Sequence, residues 1–251
     1  MELSGNTVLI TGGATGIGLA MAESFLRAKN EVIICGRREG RLQEVQKKHP
    51  MVHIRVCDVA KDSDRRALVE WTITHFPGLN ILVNNAGVQR DVDFTKGIDE
   101  FLSGENEITI NLEAPILLTG MFIPHLTGKK GAAIINVTSG LGFVPAARVP
   151  VYSATKAAMH AFSMALRHQL SKIGIKVFEV VPPAVDTELN SGGRAKRGNF
   201  KVDLKPEEFV AAVMKGLGDD LFEIGYGPSD GWMKASRADL DKSFQQMNSR
   251  W

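Results

Sequence analysis

Cysteine is nearly missing from this chain. Cys35 and Cys57 are the two in 251 residues, and each ends a short apolar run, the setting of a buried small hydrophobe. No disulfide framework is indicated. Long apolar runs are missing as well: none reaches the ~18 residues of a membrane span, and the start "MELSGNTVLITGG" has no basic segment leading into an apolar one. The expectation is a cytoplasmic protein with no membrane partner. Charge of one sign is also scarce, because 30 basic against 28 acidic residues leave a formal +2. The basic residues are mostly scattered among acidic ones, which excludes a broad nucleic-acid footprint and favours small-molecule chemistry. No metal site is expected. Tyrosine occurs only twice, so the place of each one matters.

What is present is an ordinary soluble composition, 44% hydrophobic and 23% charged, which excludes overall disorder. Short β-rich runs at 7–11, 31–35 and 52–58 alternate with amphipathic stretches near 16–29 and 38–48. That alternation signals βαβ units and a mainly parallel sheet. Further strand candidates at 80–87, 131–139, 175–182 and 221–227 bring the count to seven. No repeat or linker divides the chain, so 1–251 reads as a single domain. Leu189 to Lys205, rich in glycine and basic residues, reads as a long connection, either a binding loop or a plain solvated one.

"TVLITGGATGIGLAMAESFL" puts Gly12, Gly13, Gly16 and Gly18 between the first strand and the first helix. Glycine there lets the backbone turn sharply and approach a pyrophosphate, which the positive end of the helix favours. A turn needing glycine for its own sake is the plainer alternative. At the end of the second strand, "CGRRE" offers Arg37 and Arg38 where an acidic residue would suit the free ribose of NAD. The pair suits the 2'-phosphate of NADP; otherwise it is the solvated start of the next helix.

"VYSATKAAM" sets Tyr152 four residues before Lys156, on one face if the segment is helical. A positive charge nearby favours the phenolate and lowers the tyrosine pKa by roughly 1 to 3 units. Ser139 ends the strand "AAIINV" thirteen residues upstream of Tyr152, where a parallel sheet forms its ligand crevice.

Together "TGGATGIG", "NNAG" (84–87), Ser139 and "YSATK" resemble the short-chain dehydrogenase/reductase family, over essentially the whole chain and in the family's order. The resemblance implies a Rossmann-like, doubly wound α/β fold with seven parallel strands and helices on both faces. It also implies hydride transfer between a nicotinamide and an alcohol or ketone. Tyr152 would be the general acid-base, Ser139 would orient the substrate oxygen, and Lys156 would bind the nicotinamide ribose while depressing the tyrosine pKa. Asn111 would hold a water linking Lys156 to solvent, or else simply cap or kink its helix. The cofactor contacts it implies are Gly12, Ala14, Thr15, Gly16, Ile17, Gly18, Arg37, Arg38, Asp58, Val59, Asn85, Ala86, Gly87, Tyr152, Lys156, Pro183, Val185 and Thr187. Asp58 can instead serve only to start the next helix.

One segment departs from the family pattern. "VPPAVDTEL" has Pro182 and Ala184 where asparagine and glycine are common, and an alanine does not take left-handed angles as freely as glycine. Leu141, Phe143, Val144, Pro145 and Val149 either wall an apolar substrate pocket or close the core. Arg194, Lys196 and Arg197 either meet an anionic substrate or are soluble surface. The stretches 107–126 and 152–170 are apolar on more than one face, as helices covered on both sides are, and the resemblance implies a homodimer or homotetramer through these two helices. The terminal segment ending in Trp251 is a further candidate for packing on a neighbour. The leading expectation is an NADP-dependent carbonyl reductase or alcohol dehydrogenase. The alternatives are an epimerase or dehydratase on the same scaffold, and a non-catalytic NADP-binding sensor.

Overall fold

A computed structural model describes residues 1–189, 202–235 and 237–249. The apolar runs form one sheet: β1 (Thr7–Thr11), β2 (Glu31–Gly36), β3 (Val52–Val56), β4 (Leu79–Asn84), β5 (Ala133–Val137), β6 (Lys176–Val181) and β7 (Glu223–Gly225). Its order is β3-β2-β1-β4-β5-β6-β7, and every pairing is parallel. The order reverses between β1 and β4, so their carboxyl ends open a crevice where such sheets bind ligands.

Parallel strands covered on both faces are apolar throughout, and β1, β4 and β5 are buried along their full length. On one face, Val8 and Ile10 of β1 join a core with Phe25 of α1 (Gly16–Arg27), Leu42 of α2 (Glu39–Lys48) and Phe209. On the other, Leu9 joins Leu68 of α3 (Asp62–His75), Phe122 and Leu166. The period-two alternation along β1 thus separates two cores. The short α4 is Asp99–Leu102, and a π-turn at Thr109–Glu113 runs straight into α5 (Ala114–Leu126). Then come α6 (Pro150–Ser171), α7 (Pro206–Gly218), α8 (Pro228–Lys234) and α9 (Arg237–Asn248). Proline near the first turn opens α5, α6, α7 and α8, where its missing N–H costs nothing. No helix among the described residues is long and apolar enough to cross a membrane.

Most of the connection 189–205 lies outside the described residues, and with it Arg194, Lys196 and Arg197; Trp251 does too. The described end of that connection is fixed, because the Asp186 N–H donates to the Leu204 carbonyl at 2.9 Å and Lys205 Nζ to the Asp186 carboxylate at 2.8 Å. The terminal helix α9 packs on its own chain: the Ala147 N–H donates to Asn248 Oδ1 at 2.5 Å, and Asn248 Nδ2 donates to the Pro145 carbonyl at 3.0 Å.

Candidate active site

The glycine turn lies where β1 meets α1 at the sheet's reversal point. Gly12 has φ +65°, and a Cβ there would meet the Ala86 Cα at 2.9 Å, so the left-handed angle and the close approach both require glycine. The neighbouring segment is tied to it. Thr11 Oγ1 accepts from the N–H groups of Asn85 and Ala86 at 3.0 Å each, while Asn85 Nδ2 donates to the carbonyls of Thr11 and Gly12 at 2.9 and 3.2 Å. Ala14, Thr15, Ile17 and Gly18 surround the opening of α1, whose Thr15 N-cap makes no side-chain capping bond. The first amides of a helix have no partner within it, so this end suits an anion. Thr187 closes over the turn, its methyl 3.0 Å from where a Gly16 Cβ would stand.

Arg37 and Arg38 flank the end of β2 and the start of α2. Arg37 pairs with Glu105, and Arg38 pairs with Glu188 at 2.8 Å and donates to Thr15 Oγ1 at 3.3 Å. Arg41 joins the same Glu188 at 3.2 Å. These pairs are about half exposed and hold little energy, so a phosphate can take the place of the carboxylates at small cost. Residues Arg41, Glu105 and Glu188 were not picked out from the sequence, where nothing separates them from other surface charges. Asp58 Oδ1 accepts from the Ala60 N–H at 3.1 Å, which ties the turn before α3. Val59 is buried beside it.

Ser139, Tyr152, Lys156 and Asn111 are all buried, and they come from the end of β5, from α6 and from the π-turn. Lys156 Nζ donates to the Val137 carbonyl at 2.8 Å and stands 5.6 Å from the Tyr152 ring centroid. Gly87 faces the same centre, since a Cβ there would be 3.8 Å from Lys156 Nζ and 3.3 Å from Asn111 Oδ1. The Asn111 amide bridges to Val88, accepting from its N–H and donating to its carbonyl at 2.8 Å each. The asparagine thus ties the segment after "NNAG" to the π-turn.

The expectation that Lys156 depresses the tyrosine pKa is corrected here. Burial pushes the Tyr152 hydroxyl up to about 12, opposed by the adjoining Ser139 hydroxyl, with the Glu107 charge adding to the rise. Burial also pushes Lys156 down to about 8, opposed by Glu179. The ammonium is bound to a carbonyl rather than to the phenol, and the same desolvation that disfavours a phenolate disfavours the charge meant to stabilise it.

Glu107 is a second surprise. It is fully buried, one helical turn before Asn111; Oε1 accepts from the Arg90 N–H at 3.1 Å and Oε2 has no partner. The Arg90 guanidinium is turned to the carbonyls of Glu100, Phe101 and Glu105, so burial lifts the Glu107 carboxyl to about 7 from 4.5. The folded state therefore holds this proton where the unfolded state has released it, and stability present below about pH 4.5 is lost as pH rises through about 7. Glu107→Gln keeps the acceptor for the Arg90 N–H without the ionisation. In urea titrations it is expected to gain on the wild type between those pH values, by on the order of 3 kcal/mol. A stability difference that does not change with pH would refute this.

The segment 182–185 needs no left-handed residue: among the described residues only Lys29 and Asp220 combine a side chain with positive φ. Ala184 therefore fits without strain, and the Pro182 carbonyl accepts from the Gly140 N–H at 3.0 Å. Pro183 and Val185 follow beside it. Of the apolar loop, Val144 and Val149 are buried, so they close the core. Leu141 and Phe143 are partly open, and Pro145 is exposed.

A parallel sheet with a glycine turn and a helix end at its reversal point, near a buried phenol and amine, has the layout with which α/β oxidoreductases hold dinucleotides. The family model described as short chain dehydrogenase matches residues 6–198, and the chain belongs to that family. It is 48% identical over 250 residues to the uncharacterized oxidoreductase DltE of Bacillus subtilis (strain 168), across 100% of this chain and 99% of that protein. Among solved structures, a short-chain dehydrogenase from Sphingobium yanoikuyae in complex with NADPH matches at 28% identity and TM-score 0.75, covering 98% of this chain and 96% of that one. A short-chain dehydrogenase/reductase from Burkholderia phymatum in complex with NAD shares the fold at TM-score 0.82 and 19% identity, covering 99% and 97%. The seven-stranded Rossmann-like fold is thus shown, and the chain is an oxidoreductase of this family.

Proposed function

We propose that this protein is an NADP-dependent oxidoreductase, folded as one domain over 1–251, that interconverts a ketone or aldehyde and its alcohol. The observation that carries the reading is the buried group of Ser139, Tyr152 and Lys156 at the crevice edge, next to the glycine turn. When bound, the nicotinamide supplies or accepts the hydride. Tyr152 gives the substrate oxygen its proton in reduction and takes it back in oxidation, and Ser139 hydrogen-bonds that oxygen. Lys156 and Tyr152 hold the nicotinamide ribose, while Asn111 keeps the segment after Gly87 in place. Gly12, Ala14, Thr15, Gly16, Ile17 and Gly18 receive the pyrophosphate, and Pro183, Val185 and Thr187 the carboxamide side. Asp58, Val59, Asn85 and Ala86 border the adenosine. Leu141 and Phe143 give the substrate side an apolar wall.

Arg37 and Arg38 carry the cofactor preference. A panel of ketones and aldehydes followed by NADPH absorbance, with NADH alongside, tests the whole reading. Turnover with NADPH supports it; no turnover with any carbonyl, or a strong NADH preference, overturns it. In the double variant Arg37→Ala, Arg38→Ala, the preference for NADPH is expected to fall by about tenfold or more, as charge-assisted hydrogen bonds to a phosphate are lost.

A homodimer or homotetramer belongs to the same proposal. An open cleft of about 460 Å³ lies along α6 and the π-turn, lined by Phe94, Ile108, Leu112, Val151, Ala154 and Ala158. Apolar surface of this kind suits a covering subunit.

A further inference from the structure

Glu188 belongs to the segment that follows β6, yet its carboxylate reaches the openings of α1 and α2. Arg38 Nη1 donates to Oε2 at 2.8 Å and Arg41 Nη2 to Oε1 at 3.2 Å, so each oxygen takes one guanidinium. Arg38 Nη2 also donates to Oγ1 of Thr15, the N-cap of α1, at 3.3 Å. The two arginines are three residues apart at the first turn of α2, a spacing that puts them on one side of the helix. Thr187, next to Glu188, is the residue whose methyl closes over Gly16. The carboxylate is thus an anion gripped by two guanidinium groups beside the glycine turn.

Guanidinium groups receive carboxylate and phosphate oxygens in the same way. The Arg38 hydrogen bond holds the Glu188 carboxyl below its ordinary value, with burial opposing, so at neutral pH the group is charged. Both arginines and the glutamate are about half exposed. Each pair therefore holds little net energy, and a solute can reach the guanidinium groups. A phosphate dianion brings more charge than a carboxylate and three terminal oxygens. The other anions at these arginines are placed differently: Glu44 meets Arg41 through Nη1 at 3.0 Å, and Glu105 meets Arg37.

We propose that Arg41 joins Arg38 in binding the 2'-phosphate of the nucleotide, and that Glu188 is the chain's own anion in that place, displaced when the phosphate binds. Arg41 then adds to the preference for NADP, and Glu188 works against it. The inference rests on the NADP reading of the proposed function and deepens it.

The test is calorimetric titration of the full chain with NADP+ and with NAD+, which differ only in the 2'-phosphate. Arg41→Gln is expected to weaken NADP+ binding by roughly fivefold to tenfold, as a charge-assisted hydrogen bond is lost. Glu188→Gln keeps the shape without the charge and is expected to bind NADP+ about threefold to fivefold more tightly, as an exposed ion pair no longer competes. In both variants NAD+ affinity is expected within about twofold of the wild type, a fold check in the same measurement. Glu39→Gln is the control. That carboxylate stands at the same helix opening but accepts from Gln43 at 3.1 Å instead of an arginine, so its removal is expected to change neither affinity.

Unchanged NADP+ affinity in Arg41→Gln or in Glu188→Gln overturns the proposal. So does an equal change toward both nucleotides, which a structural role alone would give, or a gain in Glu39→Gln as large as that in Glu188→Gln, which loss of any nearby negative charge would give. A wild type that prefers NAD+ overturns the cofactor reading and this inference with it. A wild type that prefers NADP+ beside an unchanged Glu188→Gln overturns this inference alone.

Discussion

Tyr152→Phe is expected to bind NADPH like the wild type and to lose its oxidation with the best ketone of the panel by about 10²–10⁴-fold. The substitution removes one oxygen and leaves the ring, which packs with Ala146, Val149, Leu141 and Met247. Ser139, Lys156 and the glycine turn keep their places, so binding is separated from chemistry. The direction of the pKa makes the case stronger. A hydroxyl pushed up to about 12 stays protonated across the physiological range, as a donor to a developing alkoxide must. Alcohol oxidation needs the phenolate instead, so in the wild type it is expected to speed up with rising pH while reduction does not. Nucleotide fluorescence measures binding and absorbance measures turnover; a Tyr152→Phe protein that still turns over removes Tyr152 from the chemistry.

The sheet was readable because its strands are buried on both faces: β1, β2 and β6 spell almost unbroken apolar runs that period and composition reveal. Helix α3 was not picked out. Its inward residues are Arg65, Leu68 and Thr72, two of them polar, so it shows no apolar stripe. Helix α9 has no buried residue at all and is placed by Asn248 instead. The glycine turn and the Tyr152–Lys156 pair were legible because each needs particular residue types at fixed spacing.

Electrostatics was the part that spacing misjudged. Two residues four apart on α6 do face one way, but burial sets their charges, and burial is a property of what packs around them. One residue that answers to that burial is a charge inside an apolar run, Glu179 in "KVFEVV"; Glu107 in the polar stretch "ENEITIN" gave no such sign. A charge in a strand otherwise read as core was the available signal. It demands a partner, and at Glu179 the partners are Thr138 and His160.

Lys156→Met tests what that lysine costs the fold. The unfolded chain holds the ammonium proton up to its ordinary 10.5, whereas the folded chain releases it near about 8. Between those values the unfolded state binds more protons, so wild-type stability rises with pH across this window, and the penalty is full below it. The span corresponds to on the order of 3 kcal/mol. Methionine fills similar volume without the charge, but it leaves the Val137 carbonyl without its donor, a loss of about 1–3 kcal/mol that does not depend on pH. The absolute change at pH 7 is therefore a difference of two similar quantities, and the pH dependence is the decisive reading. In urea titrations at pH 7 and pH 10, the variant is expected to lose ground to the wild type by roughly 2–3 kcal/mol between the two conditions, and to lack turnover at both. A gap that stays constant with pH would show that Lys156 carries no buried charge in the fold. A variant that loses ground with rising pH as expected shows a residue retained against stability, which is how a group kept for chemistry behaves.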